Sequence, residues 1–322
     1  MEKAIKKSAQ TARTWLQQNN FPYSDQITLA PSNKTFPEGG HYAIEIPVVN
    51  NLEILQHITR LLRSKGIKKA IFGETHGAFL LSDSEIKDML SLCFEERWGM
   101  FFSIGPRPEY DRKAVFYRTE FGASQGRRLN NHDAMAYAVE EVFRLTTLGC
   151  RGIIVYDLGL LRILNSIREK GAIPKKVMFA ASTHCMISNA ITAQIYAENG
   201  ADQLVILHDL DLPVIQEMRR ILPNSVALSL PIDSYFAKGG FIRYYEIAEI
   251  IQIAAPIFIK LGGSAQTHPS ELPDLSILKR RVDRVLIGLE HLNKVDVLLS
   301  ELSDASPYWC VPEMKITTSV EV

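Results

Sequence analysis

Eight short apolar runs punctuate this chain, and each gives way to a polar or ionisable residue and then to an amphipathic stretch. They span residues 42–47, 69–74, 99–103, 152–157, 177–182, 203–208, 226–230 and 256–260. An unbroken apolar run of this length suits a strand buried on both faces, the environment of a parallel sheet. Eight such strands alternating with helices predict a closed (β/α)8 barrel, an α/β fold. Active sites in that fold lie at the carboxyl ends of the strands. Glu74, Asp157, Ser182, His208 and Lys260 stand at those ends.

Barrels of this kind run to about 250 residues as one domain, so the 322 residues leave room for extensions. Residues 1–40 read as an amphipathic helix and a Pro/Gly-rich loop, 41–302 as the barrel, and 303–322 as a tail. The leading helix and the tail are each candidates to pack on the barrel or to join copies in a homo-oligomer. Helices are expected near 51–65, 83–95, 133–148, 159–171, 189–199, 211–221, 243–253 and 275–301. Asn50 or Asn51, Ser82 with Asp83, and Asn189 supply N-cap chemistry, and Gly66, Gly149, Gly171 and Gly200 suit left-handed helix ends. The third strand is followed by a long loop, 105–132, rich in arginine and including Arg107. A loop of that length in a compact domain is commonly functional, and its basic excess could meet an anionic substrate.

Charge adds little direction. Lys plus Arg and Asp plus Glu each number 36, so nothing general draws the chain to nucleic acid or an anionic membrane. No apolar run reaches membrane-spanning length. With no apolar signal core after Met1, the expected location is the cytoplasm. Cys93, Cys150, Cys185 and Cys310 are far apart with no Cys-x-x-Cys pair, which leaves a zinc ribbon or compact iron–sulfur motif unsupported. They read as buried thiols, with Cys185 nearest a strand end.

The stretch 152–218 resembles the core of peptidase family U32, the collagenase-like proteases. The matching features are Asp157 with Gly159, Ser182-Thr183, Asn189, Gly200 and the strand end Leu207-His208-Asp209-Leu210-Asp211. Upstream, Pro47-Val48-Val49-Asn50-Asn51-Leu52-Glu53 is similar to the family's Pro-Ala-Gly-Asn-Leu-Glu, and Ala70-Ile71-Phe72-Gly73 to its Ala-Val-Tyr-x-Gly. The resemblance implies a barrel and a divergent relative. His208-Asp209 replaces the family's Arg-Glu, His184 stands where Gln often follows Ser-Thr, and the downstream His-Gly-Ala and Ser-Gly-Arg-Cys segments are absent. No specific reaction therefore carries over.

Several strand-end residues could carry chemistry. Glu74 and His76 could form an acid/base pair, or Glu74 could simply satisfy backbone amides. Asp157 could face the site or cap a helix. Ser182 and Thr183 could bind a carboxylate or phosphate, and His184, His208 and Asp209 could move protons. His76, His184 and His208 form a candidate divalent-metal set. Lys260 and the Gly262-Gly263 turn, helped by Arg107 and Arg243, could hold an anion, although two glycines after a strand also make a plain turn. The leading expectation is a hydrolytic, U32-peptidase-like enzyme acting on a small polar or peptidic substrate. The alternatives are a barrel lyase, isomerase or transferase with an anionic substrate, and a partner protein that has lost its chemistry.

Overall fold

The structure, a computed structural model, describes residues 11–24, 28–104, 129, 131–234, 241–266, 274–295 and 298–314. Arg107, most of the long third loop, the first ten residues and the end of the tail lie outside the described residues.

All eight apolar runs are strands: β1 (Tyr42–Pro47), β2 (Ile71–Gly73), β3 (Gly99–Ser103), β4 (Gly152–Val155), β5 (Met178–Ala181), β6 (Gln203–Val205), β7 (Ala227–Pro231) and β8 (Ile257–Lys260). Each pairs in parallel with the next, and β8 closes on β1 with Glu45 opposite Lys260. The helices are α1 (Leu52–Ser64), α2 (Asp83–Glu96), α3 (His132–Thr147), α4 (Leu158–Glu169), α5 (Ala190–Glu198), α6 (Leu212–Ile221), α7 (Ile247–Ala254) and α8 (Leu275–Asn293). Residues 11–18 are also helical. Among the described residues no helix is long and apolar enough to cross a membrane.

Local chemistry explains the helix limits. Asn51, Ser82 and Asn189 each accept a backbone N–H in the first turn of the helix they precede, a contribution of about 1 kcal/mol apiece. Gly66, Gly149, Gly171 and Gly200 all take positive φ after helices. The last helix stops at Asn293, earlier than the expected limit near 301. The chain beyond it turns back toward the sheet, where the Tyr42 carbonyl accepts the Leu302 amide at 2.7 Å.

Side chains alternate across the strands, which divides the core in two. Ile44, Ile46, Phe72, Met100, Phe102, Leu204, Leu228 and Ile259 face outward and pack with the helices in the larger cluster. Ala43, Ile71, Phe101, Ile154, Ala180, Ala227 and Phe258 face into the barrel. This inner cluster is completed by chain outside the repeat, namely Phe36, Leu302, Tyr308, Trp309 and Cys310. The tail seals the end where the strands begin. The Cys310 carbonyl accepts the Met100 amide at 3.3 Å, and Gly149 accepts that of Glu313 at 3.0 Å. Its approach is close enough that a Cβ on Gly99 would run into the Trp309 carbonyl oxygen. All four cysteines are buried free thiols.

Trp309 is a fully buried side chain of this plug. Trp309→Ala should lower stability by about 3–5 kcal/mol, the usual cost of truncating a buried aromatic. Urea denaturation measures it, and a loss under about 1 kcal/mol would mean that the plug contributes little.

Candidate active site

Inside the barrel, near the carboxyl ends of the strands, the apolar filling gives way to polar side chains. Glu45 on β1 is buried, and its Oε1 lies 2.6 Å from Lys260 Nζ on the neighbouring β8. Its Oε2 accepts from Gln203 Nε2 at 2.8 Å and Ser229 Oγ at 3.0 Å. A carboxylate this deep is tolerated only when paired and hydrogen-bonded; here three donors from three strands do both. Lys260 is thereby fixed in the barrel mouth as a positioned cation.

The fifth and sixth strand ends are linked. After β5, Ser182 opens a short 3-10 turn, Thr183–Cys185, with its Oγ accepting the His184 amide at 3.3 Å. Thr183 Oγ1 then lies 3.0 Å from His208 Nε2 at the end of β6. Burial pushes the His208 pKa down to about 4, the nearby Lys260 charge pushes it the same way, and Asp209 opposes weakly. His208 is therefore a neutral imidazole at physiological pH. Its ring also packs on Phe241, 5.7 Å between centroids, while His184 meets the edge of Tyr156 at 5.8 Å. Cys185, just beyond, is buried.

Other strand-end groups serve the scaffold. Glu74 Oε1 accepts the amides of His76 and Gly77 at 2.5 and 2.9 Å, and Oε2 accepts the amide and hydroxyl of Ser103 at 3.3 and 2.9 Å. Burial raises its pKa, against the pull of those donors. Both oxygens are thus occupied by the β2 and β3 ends. Asp157 caps α4 by accepting the Leu160 amide at 3.0 Å. Arg243 donates to the His208 and Leu210 carbonyls and pairs with Glu246, so it ties the loop after β6 to the one after β7. Asp209 is exposed.

The Gly262-Gly263 turn has an occupant of its own. Asp233, buried just past β7, accepts the Gly262 amide at 2.8 Å and the Ser264 amide and hydroxyl at 2.8 and 2.5 Å. An internal carboxylate sits where a substrate oxyanion was expected. Gly262 has φ +93°, and a Cβ there would also meet the Arg281 side chain at 2.5 Å. The turn needs glycine for backbone and packing reasons.

The proposed metal set does not assemble. Among the described residues, which include His76, His184 and His208, no three His, Cys, Asp or Glu side chains converge to hold an ion. The imidazoles stand after β2, β5 and β6; that of His208 meets Thr183 and that of His184 meets Tyr156. Sequence reasoning passed over Glu45, Gln203, Ser229 and Asp233. The signal for Glu45 was an acid at an inward position of an otherwise apolar strand; for Asp233 it was a carboxylate just past the seventh strand.

Residues 128–232, about a third of the chain, match the family model of peptidase family U32. A search of curated proteins returns no match. Similar solved structures include the YdjI aldolase of Escherichia coli K12, at 15% identity and TM-score 0.43, covering 79% of this chain and 90% of that one. The U32 peptidase Mk0906 aligns at 11% identity and TM-score 0.42, over 74% of this chain and 98% of its own. A putative deoxyribose-phosphate aldolase from Coccidioides immitis aligns at 8% identity and TM-score 0.45, over 79% and 92%. These overlaps are loose, and the fold rests on the strand pairing itself. The matched segment runs from α3 through β7 and contains Asp157, Ser182, Thr183, His184 and His208, so the chain is a (β/α)8 barrel with a segment that is similar to peptidase family U32.

Proposed function

We propose that this barrel is a hydrolytic enzyme acting on a small polar or peptidic substrate at the strand carboxyl ends. The observation that carries the reading is the Thr183 Oγ1–His208 Nε2 contact of 3.0 Å beside a fixed cation. With its proton on Nδ1, a neutral His208 accepts from the Thr183 hydroxyl. It is then placed to take a proton from that hydroxyl, or from a water in its stead, as the oxygen attacks a substrate carbonyl carbon. The carbonyl π-electrons move to oxygen, and the Lys260 ammonium favours the negative charge that develops. Collapse breaks the bond to the leaving amine, which departs with the proton held by His208. If Thr183 is the nucleophile, water then releases the ester by the same proton relay.

The anion-holding alternatives have less support. Arg243 is engaged with carbonyls and Glu246, and the glycine turn already binds Asp233.

A fluorogenic peptide library tests the reading. Thr183→Val and His208→Asn should each lower kcat/KM by about 10²-fold or more, with melting temperatures near that of the parent protein. Undiminished turnover in both variants, or no hydrolysis by the parent of any peptide, would sink it.

The depressed His208 pKa has its own consequence. The unfolded chain titrates this group near 6.5 and the folded one near 4, so between those values the unfolded state binds more protons. Stability should rise with pH across that window and be fully present above it. His208→Asn should flatten this part of the profile. Direct NMR titration of the imidazole should show a midpoint near 4, and a midpoint at or above 6.5 would contradict the burial argument.

A further inference from the structure

At the opposite end of the barrel from the mouth, a cavity of about 800 Å³ lies between the N-terminal segment and the last turns of α6 and α7. That volume is in the range of small-molecule sites. Its walls include Phe21, Tyr23, Lys34, Glu217, Arg219 and Arg220. We propose that this cavity binds a small oxyanion carrying an aromatic ring, an aryl phosphate in its simplest form.

The charge argument comes first. Among the described lining residues three cations face one carboxylate, in a chain whose formal net charge is zero. Glu217 is paired through both oxygens with Arg220, which leaves Lys34 and Arg219. Both have a structural task. Lys34 Nζ donates to the carbonyls of Arg219, Arg220 and Leu222, and the Arg219 guanidinium to those of Leu222, Pro223 and Val226. They cap the C-terminus of α6. A helix end, however, offsets only about half a charge, so two full cations leave an excess of more than one. The mutual repulsion registers on Lys34, whose pKa is lowered by burial and then by Arg219 and Arg220. Arg219 is itself 2% exposed, and its Nε–H has no partner among the described residues. A bound anion would compensate this excess.

The apolar side of the argument is the rim. Phe21 and Tyr23 remain 42% and 44% exposed while lining the cavity. Phe21 is held by stacking on Trp15, 6.2 Å between centroids. Ser32 anchors the same segment to the end of α7 through the Gln252 and Ala255 carbonyls. Two open aromatic side chains beside an uncompensated positive wall suit a ligand with a ring at one end and an oxyanion at the other.

Calorimetric titration of the full chain with phenyl phosphate, inorganic phosphate and benzyl alcohol tests this. Phenyl phosphate should bind saturably, about tenfold more tightly than either fragment, and more weakly as salt is raised. The double variant Phe21→Ala/Tyr23→Ala, at exposed positions, should remove most of the preference over inorganic phosphate. Replacing Arg219 risks the fold, so Arg220→Gln, on the exposed side of the cavity, reports on charge and should weaken binding. Thr183→Val, at the far mouth and with a melting temperature near that of the parent, should leave it unchanged. The proposal is overturned if millimolar phenyl phosphate shows no saturable binding, if the cavity variants bind like the parent, or if Thr183→Val abolishes binding and so places the anion at the mouth.

Discussion

The ion pair between Glu45 and Lys260 crosses the seam where the last strand of the barrel meets the first. A lone charge at that depth would cost several kcal/mol, and removing one partner of such a pair typically costs about 3–5 kcal/mol. The pair dictates its surroundings. Gln203 and Ser229 are drawn to the carboxylate, which makes this layer of the interior polar where the layer below is Ala43, Ala227 and Phe258. The fixed ammonium reaches outward too, keeping His208 neutral together with burial. Closure of the fold and the electrostatics of its mouth thus depend on one contact.

The barrel was legible because its signal is repeated. Each strand is short and ambiguous alone, but eight apolar runs with caps and glycine stops between them leave few other folds. Thr183 and His208 were legible for a related reason, since they stand at adjacent strand ends. Pairwise chemistry was harder to read. Glu74 and Asp157 obey the strand-end rule, and yet both Glu74 oxygens and one Asp157 oxygen accept from nearby groups of the chain. The same rule that places a carboxylate at an active site also places it where helix and turn amides need an acceptor. Sequence spacing cannot tell the two apart.

Asp233 illustrates the limit from the other direction. A glycine-rich turn after β8 has the right backbone for an oxyanion, and one is bound there, but it belongs to the chain itself. The partner lies about thirty residues upstream and across a strand pair, a separation that local motif reading does not bridge. Gln203 was missed because a single amide in an apolar run reads as a strand edge. Only the alternation of inward positions in three dimensions shows it to be interior.

The plug at the lower end of the barrel bears on the order in which this protein can be made. Tyr308 and Trp309 follow every strand and helix of the repeat, yet they fill the cavity that those strands enclose. During synthesis the eight strands leave the ribosome before the side chains that complete their inner core. Until then Ala43, Phe101 and Phe258 border a space open to water. The nascent barrel therefore passes through a stage with an unsealed apolar base, and its inner core is completed only by residues that follow the whole repeat.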